Sequence, residues 1–321
     1  MKTRLTELLG VEHPVMLAGM GGVSYADLVA AVSNAGGYGC LGASTMTQPQ
    51  LVEQVAATRA MTALPFGVDL LTAMPGDMLK SVDLLIEGGA SMFVAGLGVP
   101  AAAVERCHQA GVLVANMCGK VDHARRAVDA GCDLVIAQGT EAGGHTGQVA
   151  TMPLVPLVVD AVDGVVPVVA AGGIFDGRGL VAALSLGADG IWVGTRFIAT
   201  PEARTVVGFK EHILDADEAG TTISRAFSGK TMRVIKNETT AHYEAHPEEL
   251  KAFPEQLMTA FNEEFFHLGG DEHSTGVDPD REGYPAGQAV GAIESLTPAG
   301  DLVRSFVAEA EAAIERIDAL R

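Results

Sequence analysis

A histidine framed by glycines just past an apolar run holds the most chemistry in this sequence. Leu134-Val135-Ile136-Ala137 reads as a buried parallel strand, and Gln138-Gly139-Thr140-Glu141-Ala142-Gly143-Gly144-His145-Thr146-Gly147 follows it directly. Four glycines in so short a loop let the main chain approach a flat or charged ligand and reach dihedral angles closed to other residues. His145, at the rim, is the side chain best suited to move a proton near neutral pH. A surface turn with a solvated histidine would not need glycines on both sides of it.

Two further glycine clusters bear on the same ligand. Ala171-Gly172-Gly173-Ile174, then a helix, then Gly187-Ala188-Asp189-Gly190-Ile191-Trp192-Val193-Gly194-Thr195 read as a phosphate grip shared by two strand ends. Main-chain N–H groups there, near a short helix N-terminus, create a positive concavity, and glycine lets a phosphate approach without meeting a Cβ. Gly19-Met20-Gly21-Gly22 ends the first apolar run in the same way. A phosphate grip beside a glycine-rich first loop suits a ligand with a phosphate tail and a flat ring. FMN has that shape.

These loops need a scaffold that brings them to one face. Strand-like apolar runs fall at residues 14–18, 38–41, 66–71, 92–95, 112–115, 134–137, 166–171 and 190–193. Helical segments follow at 25–35, near Pro49, from Asp77, from Pro100, at 121–130 and at 177–186. Eight βα repeats in about 200 residues favour a closed (β/α)8 TIM barrel over an open doubly wound sheet. Its ligand face is the C-terminal end of the strands, where Asp69, Met117 and Gln138 also fall. The expected organisation is a barrel core over residues 1–200, an acidic insertion at 201–298 that covers or flanks the C-terminal face, and a closing helix at 299–321. In that helix Leu302, Phe306, Ala310, Ile314, Ile317 and Leu320 recur at helical spacing and predict one apolar face.

Composition narrows the partners. The 321 residues carry 21 Lys plus Arg against 40 Asp plus Glu, a net charge of −19, and residues 241–321 alone hold 17 acidic and 5 basic ones. No basic cluster is present to bind nucleic acid or an anionic membrane. Hydrophobic residues make up 48%, enough for a large core. No apolar run reaches the length of a membrane span, and residues 1–10 lack a signal-type apolar stretch. Cys40, Cys107, Cys118 and Cys132 are scattered in apolar surroundings, as reduced buried thiols of a cytoplasmic protein would be. A homodimer is compatible with this composition.

The chain resembles the nitronate monooxygenases, formerly 2-nitropropane dioxygenases, and the related FMN-dependent enoyl-thioester reductases. The resemblance runs over nearly the whole chain. It includes His13-Pro14, residues 31–37, Pro65-Phe66-Gly67-Val68, Ala171-Gly172-Gly173, Gly194-Thr195-Arg196-Phe197, Ile235-Lys236-Asn237 and Gly287-Gln288, with Glu141-Ala142-Gly143-Gly144-His145 the most specific part. It implies an FMN whose phosphate sits on Gly172, Gly173, Gly194 and Thr195. Gly19, Met20 and Gly21 would line the ring, with Asp69, Met117, Gln138, Gly143 and Gly144 close by and His145 as the acid/base residue. One departure is Asp69, where the family pattern has Asn; a carboxylate there would disfavour an anionic reduced flavin.

Two activities follow. In the first, an alkyl nitronate or similar stabilised carbanion reduces FMN, and dioxygen completes the reaction to a carbonyl and nitrite. In the second, NAD(P)H reduces FMN, or FMN serves a dehydrogenase, with an enoyl-CoA, enoyl-acyl-carrier-protein or quinone substrate. Other motifs carry less. Gly37-Tyr38-Gly39-Cys40-Leu41-Gly42 runs into a strand where a dinucleotide fingerprint would open a helix. Ser228-Gly229-Lys230-Thr231 lacks the first glycine of a P-loop, and the loop begun by Asp278 has Ala289 at its twelfth position instead of a calcium-binding carboxylate. His267, Asp271, Glu272 and His273 read as solvated groups on an acidic loop, not as metal ligands.

Overall fold

The apolar runs become the staves of a barrel. The computed structural model describes residues 1–72, 77–96 and 98–320. Its barrel strands are β1 (Val15–Leu17), β2 (Gly39–Gly42), β3 (Phe66–Leu71), β4 (Met92–Gly96), β5 (Leu113–Cys118) and β6 (Leu134–Gln138). After a two-residue strand outside the barrel, β7 (Gly144–His145), come β8 (Val168–Ala171) and β9 (Gly190–Val193). All barrel pairs are parallel, in the order β1-β9-β8-β6-β5-β4-β3-β2. Met16 bridges Tyr38 to join the two ends, with the Leu17 N–H donating to Tyr38 O and the Tyr38 N–H to Val15 O, both at 2.9 Å.

Strand alternation sorts the side chains into two layers. Met16, Tyr38, Cys40, Met92, Val94, Leu134, Ile136, Val169 and Trp192 fill the barrel interior. Their neighbours Leu17, Leu41, Phe93, Val135, Ala137 and Ile191 point outward to the helices. Helix α1 (Arg4–Leu9), capped by Thr3, sends Leu5 and Leu9 into the interior cluster and so plugs the end opposite the glycine loops. The outer ring is α2 (Ala26–Asn34), α3 (Gln48–Met61), α4 (Met78–Glu87), α5 (Ala101–Gln109), α6 (Val121–Asp129), α7 (Thr151–Val162) and α8 (Gly177–Ser185). Thr47 and Gln50 form a capping box at the start of α3, and Asp176 caps α8. All four cysteines are free and buried, and burial pushes Cys118 and Cys132 up to about 12 and Cys107 to about 11.

Beyond β9 lie α9 (Thr195–Ile198), α10 (Phe209–Asp215), β10 (Thr221–Ser224), β11 (Met232–Ile235), α11 (Glu238–Ala245) and α12 (Glu255–Asn262). Strands β10, β11 and β7 form a small antiparallel sheet. The closing helix α13 (Ala299–Asp318) packs on α8 and α2. Two sequence expectations change. Strand β5 runs to Cys118, three residues past its expected end, because the Asn116 side chain donates to Ala95 O at 2.7 Å and keeps the strand registered against β4. The apolar face of α13 stops early: Leu302, Phe306 and Ala310 are buried, whereas Ile314, Ile317 and Leu320 are 42%, 45% and 81% exposed. A 20-residue helix, about 30 Å long, outruns the nine-residue α8 beneath it. No described helix is long and apolar enough to cross a membrane.

Candidate active site

The histidine loop is held from both sides. Strand β7 pairs with β11, setting His145 opposite Met232 and Gly144 opposite Arg233. From the barrel, Gln138 Nε2 donates to His145 O at 2.8 Å. Glu141 Oε2 accepts from the Thr151 N–H at 2.8 Å and its hydroxyl at 2.7 Å, which ties the loop to the start of α7. Gly143 is needed where it stands: a Cβ there would lie 2.7 Å from the carbonyl carbon of Ala286.

His145 Nε2 lies 3.0 Å from Ser228 Oγ, and that hydroxyl donates in turn to Lys230 O at 3.3 Å. In the tautomer whose Nε2–H donates to this hydroxyl, Nδ1 of the neutral imidazole is the acceptor. Burial, and then the Lys230 ammonium, hold the imidazole below its ordinary value. A neutral ring with a free acceptor nitrogen is a base.

A cradle for an anion forms at the ends of β8 and β9. Gly172 and Gly173 have φ of 106° and 72°, in the left-handed region, and a Cβ on Gly172 would meet Thr151 Oγ1 at 2.8 Å. The N–H groups of Gly172, Gly173, Gly194 and Thr195 donate to no acceptor among the described residues. Clustered at two neighbouring strand ends, these four are available to phosphate oxygens. Thr195 Oγ1 is already used, accepting from the Gly287 N–H at 2.9 Å.

Between cradle and histidine, Gly19, Met20, Gly21, Met117 and Trp192 line a cavity of about 490 Å³. Every site residue expected from the sequence lines it: His145, Gly19, Met20, Gly21, Asp69, Met117, Gln138, Gly143, Gly144, Gly172, Gly173, Gly194 and Thr195. A Cβ on Gly19 would collide with Asp69 Cβ at 2.2 Å, so glycine there lets the first loop lie on β3. Asp69 is 4% exposed, and its carboxyl group makes no hydrogen bond to the described residues. Burial raises it well above the usual carboxylate range. Burial thus favours the protonated form of this carboxyl group beside the expected ring position.

Sequence reasoning put residues 201–298 over or beside this face but did not name the side chains of the opposite wall. Val206, Phe209, Phe253, Leu257, Phe261 and Phe266, all from the segment after β9, line the same cavity, as do Ser228, Lys230, His267 and Glu282. Gly22 touches Gly269 closely enough that a Cβ would lie 2.8 Å from its nitrogen. Lys230 Nζ sits 4.1 Å from the Phe253 ring centroid. His267 is not the solvated side chain expected: its Nδ1 lies 2.6 Å from Oε2 of buried Glu282. Asp271 instead pairs with Arg204, and His273 with Glu272 on the surface, so the four acidic-loop residues do not converge. The one hint was the spacing of apolar residues at 257–266, which marks an amphipathic helix but not which cavity it walls.

The closed barrel, the glycine cradle and the histidine loop describe an oxidoreductase, and the comparisons name its class. The family model described as Nitronate monooxygenase matches residues 2–79 and 72–309, so the chain belongs to that family. It is 37% identical over 354 residues to a (3aS,4S,5R,7aS)-5-hydroxy-7a-methyl-1-oxo-octahydro-1H-indene-4-carboxyl-CoA dehydrogenase of Rhodococcus jostii (strain RHA1), covering 100% of this chain and 98% of that one. Among solved structures, FabK from Thermotoga maritima superposes with a TM-score of 0.90 at 31% identity, covering 100% of both chains. A nitroalkane oxidase from Streptomyces ansochromogenes gives 0.84 at 29% identity, over 98% of this chain and 100% of that one.

Proposed function

We propose that the protein is an FMN-dependent oxidoreductase of carbon acids, and that its preferred substrate is an acyl thioester with a bulky apolar acyl group. The observation that carries the first part is His145, a half-buried imidazole held towards its neutral form, in one cavity with four unpartnered N–H groups. Those donors at Gly172, Gly173, Gly194 and Thr195 suit the FMN phosphate, while Gly19, Met20, Gly21, Asp69, Met117, Gln138, Gly143 and Gly144 suit its ring. Bound there, FMN supplies two-electron redox chemistry. His145 Nδ1 takes the proton from the carbon beside the activating group, and the cavity walls exclude water from that carbon.

The wall supports the second part. Phe253, Leu257, Phe261 and Phe266 give more apolar surface than a small nitroalkane can cover, and a relative named as a carboxyl-CoA dehydrogenase spans the whole chain. In this reading residues 201–298 act as the wall of the substrate site, residues 1–200 as the FMN-binding core and 299–321 as its closing helix. A second reading, oxidation of alkyl nitronates by dioxygen to a carbonyl and nitrite, draws on the family description and the nitroalkane oxidase likeness. Protein loaded with FMN and mixed anaerobically with octanoyl-CoA, propyl-2-nitronate, NADH or NADPH separates them. Bleaching by octanoyl-CoA supports the thioester reading, and bleaching by the nitronate alone supports the other. Bleaching by NADH or NADPH selects the reductase direction, with an enoyl thioester or quinone as acceptor. In His145→Ala, FMN content is expected to hold while the productive rate falls about 10²–10⁴-fold. Protein that refuses FMN would overturn both readings.

A further inference from the structure

The cavity holds a second imidazole that the reaction so far leaves unused. His267 follows α12, in the segment after β9, and lines the cavity together with Glu282. Glu282 is 1% exposed, and it spends both carboxyl oxygens on one residue. Oε1 accepts the His267 N–H at 2.6 Å, and Oε2 lies 2.6 Å from Nδ1. This double grip fixes both the main chain and the ring plane of His267. Nε2 has no partner among the described residues, nor is it sealed from solvent, and its residue lines the cavity. Burial raises the Glu282 carboxyl, and the bonds from His267 oppose that.

A buried carboxylate behind one ring nitrogen, with the other nitrogen facing substrate, is the arrangement that orients a histidine for proton transfer and balances its charge. The cavity then contains two differently built imidazoles. Burial and the Lys230 ammonium favour the neutral ring at His145, whereas His267 has the Glu282 carboxyl group fixed behind its Nδ1.

We propose that His267, positioned by Glu282, donates its Nε2 proton to the substrate oxygen that gains negative charge as His145 removes the proton from the neighbouring carbon. The C–H bond breaks, its proton goes to His145 Nδ1, and its electron pair moves into the new C=C bond. The displaced C=O pair on oxygen takes the proton from His267 Nε2, leaving a neutral enol. No oxidant enters this step. It rests on the carbon-acid reading of the function, and it makes Glu282 a positioning residue.

The test follows solvent deuterium into the C2 position of butyryl-CoA, in FMN-loaded protein without NAD(P)H or dioxygen. Wild type is expected to exchange. His267→Ala and Glu282→Gln are expected to lose about 10²–10⁴-fold in exchange rate at saturating probe, with FMN affinity and half-saturation within about threefold of wild type. Added imidazole should restore exchange in His267→Ala, which it would not do if the histidine merely held the loop. Full exchange in His267→Ala, with exchange lost in His145→Ala, would overturn the proposal and leave the carbon-acid reading standing. If butyryl-CoA does not exchange in wild type, the thioester reading falls, and nitroethane makes the same demand on carbon and oxygen. Retained exchange in His267→Ala with nitroethane, or no exchange of either probe in wild type, overturns the proposal.

Discussion

At the scale of single residues, the cavity is governed by which side chains can hold charge. In the proposed reaction His145 accepts a proton only while neutral, so activity is expected to fall on the acid side of its titration. Because the Lys230 ammonium adds to burial in holding that titration low, Lys230→Met is expected to move it up. The acid limb of kcat/KM should shift to higher pH in Lys230→Met and stay in place in Lys230→Arg, as read from pH–rate profiles. Asp69 has the opposite sign. Its carboxyl ionises near about pH 3.9 in an unfolded chain but is held protonated to higher pH in the fold, so native protein binds the extra proton between the two values. Stability therefore declines as pH rises through that window. Asp69→Asn, without this penalty, should match the wild-type Tm near about pH 4 and exceed it by a margin that grows as pH rises through that window, measured on protein without added ligand.

Among the elements, burial decides what each side chain of a helix contributes. Phe306, 1% exposed between α13 and α8, should cost about 3–5 kcal/mol when cut to alanine. Ile317→Ala, on the overhanging end of the same helix, should stay within about 0.5 kcal/mol. Urea denaturation of both variants checks the contrast. The barrel strands were legible because each is a four- to six-residue apolar run with a glycine close by, buried on both faces. Strands β7, β10 and β11 were not. β7 has two residues, too few for any period, and β11 carries Arg233 within it, which reads as exposed. In the structure that guanidinium is buried, donating to Thr140 O at 2.9 Å and to Thr221 Oγ1 at 3.1 Å. The glycine and histidine positions could be read because loop chemistry is local. His267 and Glu282, fifteen residues apart, are brought together only by tertiary packing, which no periodicity records.

Across the whole molecule, the cavity joins a barrel floor to a wall from the later chain, and the two can be probed separately. Phe261 is 38% exposed and stacks on Phe266 at the cavity wall. Phe261→Ala should raise KM for octanoyl-CoA about tenfold while leaving KM for propyl-2-nitronate unchanged, since only the longer substrate reaches that ring. Steady-state kinetics on the two substrates checks this. The contact of Gly22 with Gly269 has a further consequence, for biogenesis. A nascent chain can lay down its ninth strand once Val193 clears the ribosome, yet the pocket needs residues as late as Gly287. At ordinary elongation rates those further residues take roughly 5–20 s to synthesise. During that interval the first loop has no roof, and the cavity acquires its outer wall only on a polypeptide that is almost finished.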